Sequence, residues 1–153
     1  MTAHQQADLT RTAVQATLHC LTGCAIGEVL GMVIATALGL GNLPSIVLAI
    51  ALAFVFGFGL TVVSVRRAGV PLRRALSLAF ASDTISIAVM ELVDNASLLV
   101  IPGAIDAGLG DLLFWGSLVA SLAIAFVVTV PVNRWMIGRG KGHAVVHQYH
   151  HAH

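Results

Sequence analysis

The run LPSIVLAIALAFVFGFGLTVVSV, residues 43–65, carries no charged side chain and no histidine. An α-helix needs roughly 20 consecutive apolar residues to cross a hydrocarbon core of ~30 Å, and this run exceeds that length. Three neighbours have the same character. Upstream, Gly39, Gly41, Asn42 and Pro44 form a turn that ends an apolar run from about Ala13 to Leu40. Downstream, Arg66-Arg67-Ala68-Gly69-Val70-Pro71-Leu72-Arg73-Arg74 interrupts hydrophobicity with charge and turn residues, and a third run extends from about Ala75 to Val100. A loop containing Pro102, Gly103, Asp106, Gly108, Gly110 and Asp111 precedes a fourth run, Leu112 to about Ile137.

The chain therefore reads as all-α, a four-helix transmembrane bundle over residues 13–138, with a polar N-terminal tail (1–12) and a His-rich C-terminal tail (139–153). Composition agrees: 58% hydrophobic residues, 10% charged residues and a mean hydropathy of +0.92 lie outside the soluble range, so membrane lipid is the main partner. The balance of 8 basic and 7 acidic residues argues against a nucleic-acid partner, which requires a basic surface. Two cysteines are too few for a disulfide scaffold. No nucleophile–base pattern or phosphate-binding loop is present, which argues against an enzyme.

The basic residues orient the bundle. Arg11, the four arginines between the second and third runs, and Arg134, Arg139 and Lys141 all fall on one side of a four-span topology. Cytoplasmic loops are enriched in Lys and Arg, so both termini are expected in the cytoplasm. Trp115 and Trp135 are separated by ~30 Å of helix and match the two interfaces.

Two local patterns do not have their usual meaning. Leu21-Thr22-Gly23-Cys24 has the form of a lipoprotein cleavage box, but the apolar run continues beyond the cysteine. Asn95-Ala96-Ser97 fits a glycosylation sequon, yet it ends an apolar helix.

The costly residues lie inside the spans. Glu28 follows Cys24 by one helical turn and is nearly on the same face, with Cys20 one turn earlier. An ionisable group at membrane depth costs ~2.5–3.5 kcal/mol even on insertion scales, so it should face the bundle interior and have a partner. The third run supplies Asp83, Met90, Glu91 and Asp94 on one face. Counting depth from where each apolar run begins gives an inner layer of Cys20, Cys24 and Asp83. The outer layer holds Glu28, Met90 and Glu91, with Asp94 near the far surface.

No Lys or Arg is available within the membrane to neutralise these acids, Arg134 being a snorkelling anchor near the cytoplasmic end, so they must be protonated, hydrated or bound to a cation. Thiolate, thioether and imidazole select soft metals such as Cu(I) and suit Zn(II). The expected ligand set is Cys20, Cys24, Glu28, Asp83, Met90, Glu91 and Asp94, with His19 a weaker member because it points ~100° away from Cys20. Taken alone, the cysteines read more readily as small packing residues than as ligands. His143, His147, His150, His151 and His153 form a tract that can collect Zn or Cu loosely.

Gly23, Gly27 and Gly31 recur every four residues, and Gly116, Ser117, Ala120, Ser121 and Ala125 make a second small-residue face. Such faces let helices pack closely, and two of them predict a homo-oligomer.

HCLTGCAIGEVLG (19–31), SDTISIAVMELVDN (82–95), IPGAIDAGLGDLLFWGSL (101–118) and PVNRWMIGRGKGHAVVH (131–147) together resemble a bacterial and archaeal membrane-domain family of unknown function. The resemblance covers about Leu18 to His147. It implies four spans in a bacterial or archaeal inner membrane and His-rich tails, with some members labelled copper-related by association alone. It brings no established site.

Three functions compete. The first is binding or translocation of a transition-metal cation, copper favoured. The second is a proton-coupled small-molecule exporter using Glu28. The third is a non-catalytic accessory or assembly subunit of a membrane complex.

Overall fold

The computed structural model describes residues 3–139, and its regular structure over them is four helices. They are α1 (Ala3–Leu38), α2 (Asn42–Arg67), α3 (Leu72–Val100) and α4 (Leu112–Gly138). Each is long and apolar enough to cross a membrane. The His-rich tract lies outside the described residues.

Helix α1 has 36 residues. That corresponds to ~54 Å, longer than a hydrocarbon core is thick. The polar residues from Ala3 onward belong to it, because helical hydrogen bonding continues past the point where hydrophobicity begins. Two tight turns make α1–α2 and α2–α3 antiparallel. In the first, the Leu40 amide donates to the Ala35 carbonyl (2.9 Å) with Gly39 at φ 64°. In the second, the Val70 amide donates to the Val65 carbonyl (3.4 Å) with Gly69 at φ 83°. Both close the helix C-terminus with a left-handed glycine that satisfies end carbonyls. The longer α3–α4 loop is tied to the start of α2, where Asn42 Nδ2 donates to Asp106 Oδ1 at 2.9 Å.

Burial is inverted relative to a soluble bundle. Large apolar side chains such as Val55, Leu92, Val100 and Val119 face outward, while the buried positions are mostly Ala, Gly, Ser, Thr and Cys. Lipid is as apolar as leucine, so large side chains gain nothing by moving inward, and close packing of small residues holds the helices together. Along α1 the buried positions are 13, 16, 17, 20, 23, 24, 27, 28, 31 and 35, one continuous stripe of helical periodicity.

Three of those positions, Gly23, Gly27 and Gly31, form the edge of the stripe against α2. A Cβ added at Gly23 would lie 2.7 Å from Gly57 Cα, one at Gly27 2.5 Å from Ala53 Cα, and one at Gly31 2.7 Å from Ala49 Cα. These glycines are therefore used within the chain, which weakens their role as a spare oligomerisation face. On α4, Ser117, Ser121 and Ala125 turn inward, while Gly116 and Ala120 stay on the outer surface.

Gly27→Val should separate α1 from α2 and cost about 1–3 kcal/mol of stability in detergent unfolding. Gly59→Val, at an open position with nothing within 4 Å, should leave the midpoint nearly unchanged.

Candidate functional site

The other edge of the α1 stripe carries Thr17, Cys20, Cys24 and Glu28, rotated ~100° from the glycines and turned toward α3 and α4. On α3 the buried polar and sulfur residues are Ser82, Asp83, Ser86, Met90, Glu91 and Asp94. On α4 they are Ser117, Ser121, Thr129, Asn133 and Met136. Together they form a polar seam along the bundle.

At the arginine-bearing end the seam is closed by hydrogen bonds. Asn133 Nδ2 donates to Thr17 Oγ1 at 2.8 Å, and Ser86 Oγ donates to Asn133 Oδ1. One amide thus joins α1, α3 and α4. The Ser86 hydroxyl also adjoins the Cys20 thiol. Asp83 accepts from Ser82 Oγ at 2.7 Å, with Thr61 and His19 beside it.

In the middle of the seam, Cys24 adjoins Glu91. Cys20, Cys24 and Met90 pack in one buried cluster with Ala53, Ile87 and Ala125, and both cysteines are free thiols. One turn further, the Glu28 and Asp94 carboxyls adjoin each other, with Ser121 beside Asp94. Glu28, Glu91 and Asp94 are 7%, 3% and 1% exposed. None of their carboxyl oxygens has a formed hydrogen bond.

Beyond Glu28 and Asp94 lies a cavity of about 320 Å³. All four helices and the α3–α4 loop line it, and the exposed Asn42 and Asp106 stand at its rim.

All eight residues singled out in the sequence lie along this seam, but the layers differ from those counted by depth. Cys24 lies beside Glu91 rather than Asp83, and Glu28 lies beside Asp94 rather than level with Glu91 alone. Asp94 is buried inside the bundle. Cys20 still has Asp83 nearby and Glu28 still has Glu91 nearby, so the slide, about one helical turn, shows at Cys24 and Asp94. It arises because where an apolar run begins marks the lipid boundary and not the register between helices. Among the described residues, no group of three or more His, Cys, Asp or Glu side chains is arranged to hold a metal ion.

Thr17, Thr61, Ser86, Ser121 and Asn133 were not recognised as seam residues in the sequence. Asn133 was the readable one: a buried amide inside an apolar helix must find partners, as an ionisable group must.

An all-helical, multi-pass membrane bundle with an acidic, thiol-containing seam is the class that fold and site define. Within that class, the family model described as a domain of unknown function, DUF4396, matches residues 10–142, and the chain belongs to this family. No curated protein and no solved structure matches the chain.

Asn133→Ala should cost about 1–3 kcal/mol, because it takes away the acceptor of the Ser86 hydroxyl and the amide bond to Thr17, whose own hydroxyl stays bonded to Ala13. Thr17→Val should cost less. The double variant should show non-additivity in thermal unfolding, since the two residues share one bond.

Proposed function

We propose that this protein binds or translocates a cation through the membrane bundle, with a transition metal as cargo and copper first. The observation that carries the reading is the set of carboxyl oxygens on Glu28, Glu91 and Asp94. They are buried with no formed hydrogen bond, and every arginine of the four helices lies toward the other end of the bundle. Such groups are expensive in a membrane interior and mark ion pathways. The thiols of Cys20 and Cys24 and the Met90 thioether, packed together one turn away, favour a soft ion over a hard one.

Among the described residues the candidate ligands stand in pairs along the seam, an arrangement that suits passage. An ion must bind well enough to enter and weakly enough to leave. Pairs of groups stepping along the seam supply that, with Glu28–Asp94 followed by Glu91–Cys24 and then Cys20. Zn(II) is the second candidate cargo. Asp83, with His19 beside it, stands next in line toward the arginine-bearing end.

We place the chain in a bacterial or archaeal inner membrane, with both termini and the Arg66–Arg74 segment in the cytoplasm. The one-sided arginines support that orientation. The outward Gly116 and Ala120 support a homo-oligomer.

Purified wild-type protein should retain Cu or Zn by elemental analysis. Cys20→Ala/Cys24→Ala and Glu28→Gln should each lower metal content and alter metal tolerance of cells. Metal-free wild type together with unchanged tolerance in the cysteine double variant would remove this reading. Reporter fusions at residues 69 and 106 should report opposite sides of the membrane.

A further inference from the structure

The cavity beyond Glu28 and Asp94 is larger and more apolar than a bare metal ion needs. Most of its wall is apolar, with Met32, Ile46, Leu98 and Phe114, and the uncharged Thr36, Ser45, Asn95 and Ser117 are interspersed among them. Its charge, however, is of one sign. Glu28 and Asp94 form the base, Asp106 stands at the rim, and no Lys or Arg lines it. A volume of about 320 Å³ lies within the range of small-molecule sites.

We propose that this cavity is a binding site for a monovalent organic cation bearing apolar substituents. Its charged centre is held by the Glu28–Asp94 pair and its substituents by the apolar wall. The two carboxyls are more than nine-tenths buried, line the cavity and adjoin each other with no formed hydrogen bond and no neighbouring Lys or Arg, so a cation seated there supplies the counter-charge the fold leaves out. Phe114 adds an aromatic surface of the kind cations favour. A neutral lipophile would gain the walls but leave the acids unpartnered, and a hydrated inorganic ion would gain the acids but waste the walls. The site shares Glu28 and Asp94 with the seam, yet it requires neither cysteine and stands apart from the metal reading.

The test uses the full chain in lipid nanodiscs and the probe tetraphenylphosphonium, with neutral triphenylphosphine oxide as comparator, by isothermal titration. Wild type should bind the cation at least tenfold more tightly than the neutral compound. Glu28→Gln and Asp94→Asn should each weaken cation binding tenfold or more. Leu98→Trp, which fills the cavity without touching its charge, should block both compounds. Elution volume and helical circular dichroism confirm that each variant is folded. Absence of cation binding by wild type, equal binding of the two compounds, or full binding by folded Glu28→Gln/Asp94→Asn or Leu98→Trp would overturn the proposal. Cys20→Ala/Cys24→Ala separates the two readings, since it should lose metal and keep tetraphenylphosphonium. Failure of the probe alongside normal metal content would remove only the organic-cation site.

Discussion

The approach of α1 to α2 is the constraint on which the rest of the bundle depends. Gly23, Gly27 and Gly31 bring the α1 backbone against Gly57, Ala53 and Ala49 with no room for a methyl group. That contact fixes both the rotation and the height of α1. Cys24 and Glu28 are the next residues after Gly23 and Gly27, so they are held ~100° around the helix, facing α3 and α4. Rotating α1 to relieve the glycines would carry Glu28 toward lipid. Small residues on one side of a helix thus position acids on the other.

This coupling explains why the core is made of alanine, serine, threonine and cysteine rather than leucine. In lipid the interior has no hydrophobic advantage over the exterior, so interior positions are free to be small or polar. Ile87 is a large exception, and its side chain fills the space Gly57 leaves open: a Cβ at Gly57 would meet Ile87 Cδ1 at 2.5 Å. The bundle therefore closes tightly in its middle and widens toward the α1–α2 and α3–α4 connections, where the cavity lies.

The four spans and the turns between them could be read directly because hydrocarbon thickness sets a minimum length that no soluble segment imitates. The eight chemistry-bearing residues were legible for a related reason: Glu28, Asp83, Glu91 and Asp94 are too costly in lipid to be incidental. Their pairing was not. Depth counted from Ala13 and Ala75 takes the onset of hydrophobicity as a ruler, whereas α1 begins at Ala3 and its height is set by glycines packing on α2. The partner of those glycines was equally hidden, since Ala49, Ala53 and Gly57 are unremarkable in a run of alanines and phenylalanines. Thr17 and Ser86 carried no signal, because hydroxyls return their hydrogen bond to their own helix cheaply. Thr17 does so to Ala13 at 2.8 Å.

The seam is asymmetric, and the asymmetry bears on how it would work. At the arginine-bearing end, Thr17, Asn133 and Ser86 satisfy one another across three helices, and a fully satisfied buried network resists opening. At the other end, Glu28 and Asp94 meet a cavity with no formed hydrogen bonds to lose. Under the proposed function, access from the cavity side would be the easier, and passage to the other side would require the Asn133 bonds to break. Glu91 is placed to link the two events. It adjoins Cys24 and stands close enough to Asp94 and Glu28 to feel their charge. A cation taken up by Glu28 and Asp94 would weaken that repulsion and leave Glu91 the next acidic group in line. Under the proposed function, the order of pairs along α1 and α3 is then an order of steps.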